Sequence, residues 1–577
     1  MKIKSIYRKT ILVFFLLSTS YSLLFAQEDN PKTGNVGDEQ VTVVKAYQPT
    51  LSDAIKISDV PQKDTASFDA PDLKYTIEPK KLDTKYNITP IKPVKIKDEN
   101  IKKLYNGFVK GGYGNYSTPY GEVFYNALRS KEFDAGVHFK HLSSSGDIGE
   151  YGFPGFSENK LEVFGNKFME NSVLSGKVGY DREVYHYYGY FDPPNLYSKD
   201  TTKHLFKTFY GDFSIASSHN NKDMLDYKAG IGFYNFSDNR DQLETDFEIK
   251  GMGGKHIGNG NYVKADLIID ISKAEFKYDL CPPGVECITG GTVPVSTNRT
   301  IFRLNPRYEL SYEGINISAG ANIAIESGFD ETHYHFYPVA EVKYPLIKEE
   351  VTLFGELCGN LRKNSLRSLN NENHFLVASP VTDQNQLINT NEKFTIKGGI
   401  TAKPDRELQL TAYAGFSRLL DDVFFINSLN TTGITTYTPV YYDNSQFNLH
   451  AEVQYMHGEK FGINFKTDYF TYNLPDSTKP WFKPSFLLTL GGNYNIADKI
   501  FTKVELFYTG ERSAVSIDGK GTTLKSYLDL NLGIDYQYSK KLSVFITLNN
   551  LAASRYYLWY NYPSYKLNAM AGLTYSF

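Results

Sequence analysis

The residue types able to do chemistry in this chain are few and scattered. Cys281 and Cys287 bracket the stretch CPPGVEC, where two prolines and a glycine permit a tight turn. In an oxidising compartment that pair is expected to close a local disulfide and stiffen a loop. Cys358 alternates with apolar positions and is expected to face inward as an unpaired thiol. His333 and His335, in THYHFY, share one face of a strand and could hold a metal ion if a neighbour supplied a third ligand. No such ligand is visible, so the expectation is wall residues and no metal. The aromatic run YHYYGYF, from Tyr185 to Phe191 with Asp192 beside it, could stack on a sugar or belong to an interfacial aromatic belt. There is no nucleophile elbow, HExxH, phosphate loop or acid/base pair. The expectation is a non-enzyme without a cofactor.

The elements around these residues are strands. Leu528, Leu530, Leu532, Ile534 and Tyr536 alternate with Asp529, Asn531, Gly533, Asp535 and Gln537. Leu542, Val544, Ile546 and Leu548 alternate with Ser543, Phe545, Thr547 and Asn549. Period-two patterning gives each strand one apolar and one wet face. Roughly 22 such segments follow Tyr105, each about ten residues, the length a tilted strand needs to cross a bilayer.

Their connections alternate in length. Short ones fall at 129–131, 313–315, 403–407, 458–460 and 539–541. Long ones fall at 143–156, 191–203, 275–298, 364–391, 420–444, 514–523 and 552–564. Short periplasmic turns and long outer loops are the rhythm of an outer-membrane barrel. The predicted fold is therefore an all-β transmembrane antiparallel barrel of about 22 strands over residues 105–577. Closing it needs the last strand to pair with the first. That strand is read from the alternation YKLNAMAGLTYSF, with Tyr565, Leu573, Tyr575 and Phe577 on its apolar face.

Composition agrees. Aromatic residues make up 15% of the 577, with 45 Tyr and 39 Phe, an abundance a soluble enzyme would have to justify. The net charge of −3 excludes a strongly basic nucleic-acid binder, and three cysteines exclude a disulfide scaffold. Residues 1–26 read as a signal peptide, with Lys2, Lys4, Arg8 and Lys9 before an apolar run ending at Ala26. The expected location is the outer membrane of a Gram-negative bacterium, with its lipid as a partner.

The closing stretch, from YLDLNLGIDYQYSKKLSVFITLNNLAASRYYLWYNYPSYKLNAMAGLTYSF, resembles that of TonB-dependent outer-membrane receptors. Asn549-Asn550-Leu551, Arg555-Tyr556, Asn561-Tyr562-Pro563 and the terminal aromatic carry the likeness. Tyr565-Lys566 stands where the family has a glycine-arginine pair. Such receptors carry a globular plug before the barrel. Here residues 27–104 hold seven prolines and no sustained periodicity, so they read as an extended periplasmic arm rather than a plug.

Within the arm, Val41, Thr42, Val43 and Val44 form a β-prone stretch able to add to a partner's sheet edge. The resemblance implies that such a box recruits a periplasmic energy-coupling protein; alternatively it packs against the barrel. The functional expectation is transport, or membership of an outer-membrane transport or assembly complex with other subunits. The alternatives are a non-transporting scaffold and a passive diffusion pore.

Overall fold

The computed structural model describes residues 105–577, except 128–129, 191–196, 259, 280–291, 329–330, 378–386, 430–432, 476–477 and 517–519. The arm, with Val41, Thr42, Val43 and Val44, lies outside the described residues, as do Cys281 and Cys287.

One sheet of 22 antiparallel strands closes on itself. Gly107–Gly114 is bonded on one side to Thr118–Asn126 and on the other to Asn568–Ser576. The seam pairs Val109 with Tyr575 and Gly111 with Leu573. Phe577 completes it: its carbonyl accepts from Asn106 N at 2.9 Å, and its own N–H donates to the Gly107 carbonyl at 3.0 Å. Closure leaves no edge in lipid, which is why a membrane tolerates a sheet of this kind.

The closing strand starts at Asn568, later than the alternation suggests, and Tyr565 lies outside it. The Asn550 side-chain amide donates to the Tyr565 carbonyl, and the Tyr565 ring packs on Tyr116 at 4.5 Å. Both contacts draw the chain out of the sheet into the outer loops.

Leu528, Tyr536, Val544, Leu573 and Tyr575 are among many large apolar residues exposed on the outer surface, as a lipid-facing belt requires. The inner wall is polar and several of its charges are paired. Lys160 and Lys177 flank Glu162, Lys250 lies between Glu248 and Asp212, and Lys503 pairs with Glu505. Most turns at the end where the chain enters and leaves the barrel are tight. Glu313 and Gly314, at φ +51° and +83°, make a two-residue turn of the kind whose twist matches the flanking strands.

The opposite end is built differently. Leu408–Leu429 and Thr435–His457 have 22 and 23 residues. At about 3.4 Å per residue they far outreach an apolar band about 25 Å tall. Asn261–Asp279 and Thr292–Tyr312 are similarly long. Thus much of 275–298 and 420–444, expected as loop, is strand standing above the membrane. The loop rhythm has exceptions too, since the outer connections at 115–117 and 239–242 are short.

Candidate functional site

The long hairpin of Leu408–Leu429 and Thr435–His457 bends over the mouth of the barrel. Its register shifts between Leu419 and Asp422, and Asp421 there takes φ +53°. Beyond the shift Val423, Phe424 and Phe425 are all buried, so both faces of the ribbon are covered. A strand buried on both faces loses its apolar/polar alternation, which hid this segment from a period-two reading.

The tip of that ribbon ties the outer loops together. The Tyr437 hydroxyl donates to the Tyr560 carbonyl at 2.7 Å. Its backbone bonds residues 375–377 as a short parallel addition: Val377 N donates to Tyr437 O at 2.9 Å, and Tyr437 N to Phe375 O at 3.0 Å. Thr435 N donates to Gly189 O, and Tyr562 OH to Thr435 O. Asn427 exchanges side-chain bonds with the backbone of Val515. Around these bonds lies one aromatic core. Phe375 stacks on Tyr562 at 3.7 Å, and Trp559 meets Phe425, Tyr437 and Phe482 at 5.0–5.5 Å. Phe206, Phe236 and Phe276 join the same core from the far wall. Its members come from several strands and outer connections on opposite sides of the barrel, so the core reaches across the lumen at its outer end.

A strap, described over residues 363–377 and 387–389, packs against this lid. Ser365 caps its short helix Leu366–Glu372, and the capping exchange with Ser368 satisfies two backbone donors. The helix turns Leu366 and Leu369 into the aromatic core. Charges moor it to the wall. Lys363 Nζ donates to both Asp246 and Asp270, the second at 2.7 Å, and all three side chains are largely buried. Arg299 Nη1, from the wall, donates to the carbonyls of Asn364 (2.8 Å) and Leu387 (3.0 Å). Arg299 Nη2 lies 3.5 Å from Glu244, which also accepts from Arg367 N at 3.0 Å. Breaking such a buried pair from one side costs about 3–5 kcal/mol, because a charge is left without a partner.

A second mooring holds 374–376. The Tyr187 hydroxyl donates to the Leu376 carbonyl. His204 Nδ1 lies 3.1 Å from the His374 carbonyl, and its Nε2 lies 2.9 Å from Asp238. The His374 ring stacks flat on Tyr185 at 3.8 Å, and burial pushes its pKa down to about 4.

The sequence candidates are dispersed around this arrangement. Tyr185, Tyr187, Tyr188 and Tyr190 do not join the lipid-side belt: they turn inward and pack in or against the lid. His335 faces Glu326 at 3.1 Å, whereas His333 is exposed beside Glu331. Among the described residues no three His, Cys, Asp or Glu side chains are grouped to hold a metal. Cys358 is a free thiol, 3.4 Å from Glu356. Lys363, Arg367, Asp246, Asp270, Arg299 and Glu244 carry the mooring, and none stood out in the sequence. The one local clue, Ser365 to Ser368, lacks the acidic partner of the usual capping signature.

No protein-family model matches the sequence, and no curated protein matches it. Solved structures do. The ferric-catecholate import receptor Fiu from E. coli K12 in its closed form aligns with TM-score 0.60 at 11% identity, over 82% of each chain. The pyoverdine outer-membrane receptor FpvA of Pseudomonas aeruginosa PAO1 aligns at 0.63 and 11%, over 82% of this chain and 78% of its own. The FrpB iron transporter of Neisseria meningitidis aligns at 0.62 and 9%, over 83% and 82%. The chain therefore has the fold of the 22-stranded outer-membrane receptor barrels. A closed barrel with such an apolar belt spans an outer membrane.

Proposed function

We propose that the protein is a closed-mouth outer-membrane barrel that acts in transport, or within an outer-membrane transport or assembly complex. The observation that carries this reading is the lid with its moored strap. A passive diffusion pore has no use for an aromatic core across its mouth, whereas a gated receptor needs one. The neighbours in fold are receptors and transporters rather than enzymes, which favours the same reading.

In this reading residues 27–104 act as a periplasmic arm in place of a globular plug. Val41, Thr42, Val43 and Val44 supply a strand for an energy-coupling protein or another subunit. The test uses the full chain in its native membrane. Val43→Pro removes a main-chain donor from the added strand, so it should release the periplasmic partner while the barrel stays folded. A large, constantly open conductance in the unmodified protein would overturn the reading. Normal transport with loss of neither partner nor activity in Val43→Pro would remove the arm's role.

A further inference from the structure

The inner wall does not meet all of its carboxylates in the same way. Glu162, Glu248 and Asp212 are met by lysines of the wall itself. Between Phe156–Phe168 and Asn261–Asp279, two buried carboxylates, Asp246 and Asp270, take their cation from the strap instead. Lys363 serves both. Arg367, four positions on, lies over the rings of Tyr234 (4.7 Å) and Tyr210 (5.8 Å), within electrostatic reach of Glu183 and, together with the wall lysines Lys160 and Lys177, of Asp181.

Polar atoms of this sector that are buried without a hydrogen-bond partner include the hydroxyl of Ser272, a residue 3% exposed, and Asp181 Oδ1. Ser272 stands directly opposite Asp246 in the strand register and two residues from Asp270. An aromatic floor between carboxylates is a setting that recognises ammonium and guanidinium groups.

We infer that this sector is a binding site for a ligand bearing two or more amino or guanidino groups, and that Lys363 and Arg367 occupy it as an internal stand-in until such a ligand displaces the strap. The inference rests on the closed-mouth reading and names the ligand class it would admit. Withdrawing the strap strips Asp246 and Asp270 of their cation, and buried carboxylates without one are costly. A polycation entering the sector restores the balance, so binding and strap release favour one another.

The experiment uses the full chain purified in detergent, with trilysine as probe and side-chain-acetylated trilysine as control. Lys363→Met/Arg367→Met removes the stand-in, so it should bind trilysine at least tenfold more tightly than the unmodified protein and ignore the acetylated peptide. Adding Asp246→Asn and Asp270→Asn should abolish the gain. Absence of the gain, or its survival in the asparagine variant, overturns the inference. Folding is checked by resistance to detergent unfolding before heating. If the double variant fails that check, Arg367→Met alone is used, and a gain under threefold counts against the inference. Labelling beneath the lid of the unmodified protein separates the two claims: a closed mouth without a trilysine gain refutes only this site, and an open mouth refutes the closure itself.

Discussion

The hydroxyl of Tyr437 and the carbonyl of Tyr560 lie 2.7 Å apart although 123 positions separate them in the chain. One sits on the ribbon that bends over the mouth, the other in the last outer loop. Tyr437 is fully buried and carries the bonds to 375–377 as well. Tyr437→Ala removes a large ring and orphans the Tyr560 carbonyl, at about 3–5 kcal/mol. The lid should loosen while the barrel holds. The expected readout is protease cleavage in the outer loops with unchanged heat-modifiable migration.

On the lipid face, Leu530→Arg and Val544→Arg should each cost about 2–4 kcal/mol if they lie near the bilayer midplane. Both share the outward phase of exposed neighbours such as Leu528 and Leu573. Asn531 is a poor inward control because its side chain accepts from Asn550 N at 2.9 Å. Asp535→Arg, also inward, should be tolerated. Folding titrations from lipid vesicles compare the three, and equal costs at Leu530 and Asp535 would reverse the assigned faces.

Deleting residues 575–577 removes the pairing of Tyr575 with Val109 and both bonds of Phe577 to the first strand. Assembly should fail or slow severely. Normal surface levels of the truncated chain would show that the seam closes without them.

Acid should loosen the strap. His374 has an ordinary value of 6.5, and in the docked strap burial lowers it to about 4. A released strap takes up the proton first, so docking is fully favoured above pH 6.5 and weakens as pH falls towards 4. At pH 5 the loss is about 1–2 kcal/mol. Protease sensitivity of 363–377 should rise between pH 7.5 and 5, and His374→Gln should flatten that response.

The barrel was legible in the sequence because its wall obeys one period. Leu528 to Tyr536 and Leu542 to Leu548 alternate as lipid and lumen demand, and the seam follows from closure. The lid was not legible, because its residues answer to partners far away in the chain. Val423, Phe424 and Phe425 form an unbroken apolar run that meets the lid on one face and its own ribbon on the other. Lys363 and Arg367 look like ordinary loop cations until strands more than ninety residues earlier bring Asp246, Asp270 and Glu244 beside them. Tyr187 and Tyr190 read equally well as a belt, since composition does not say on which side of the rim a tyrosine turns.

If the outer mouth is closed, a bulky reagent outside the cell does not reach the lumen. A cysteine placed at Asp535 on the inner wall, with Cys281, Cys287 and Cys358 changed to serine, is challenged on intact cells with a large polyethylene-glycol maleimide. No labelling is expected in this background, and clear labelling once Lys363→Met and Tyr437→Ala unfasten strap and lid. Rapid labelling with the lid unaltered would mean that the mouth is open.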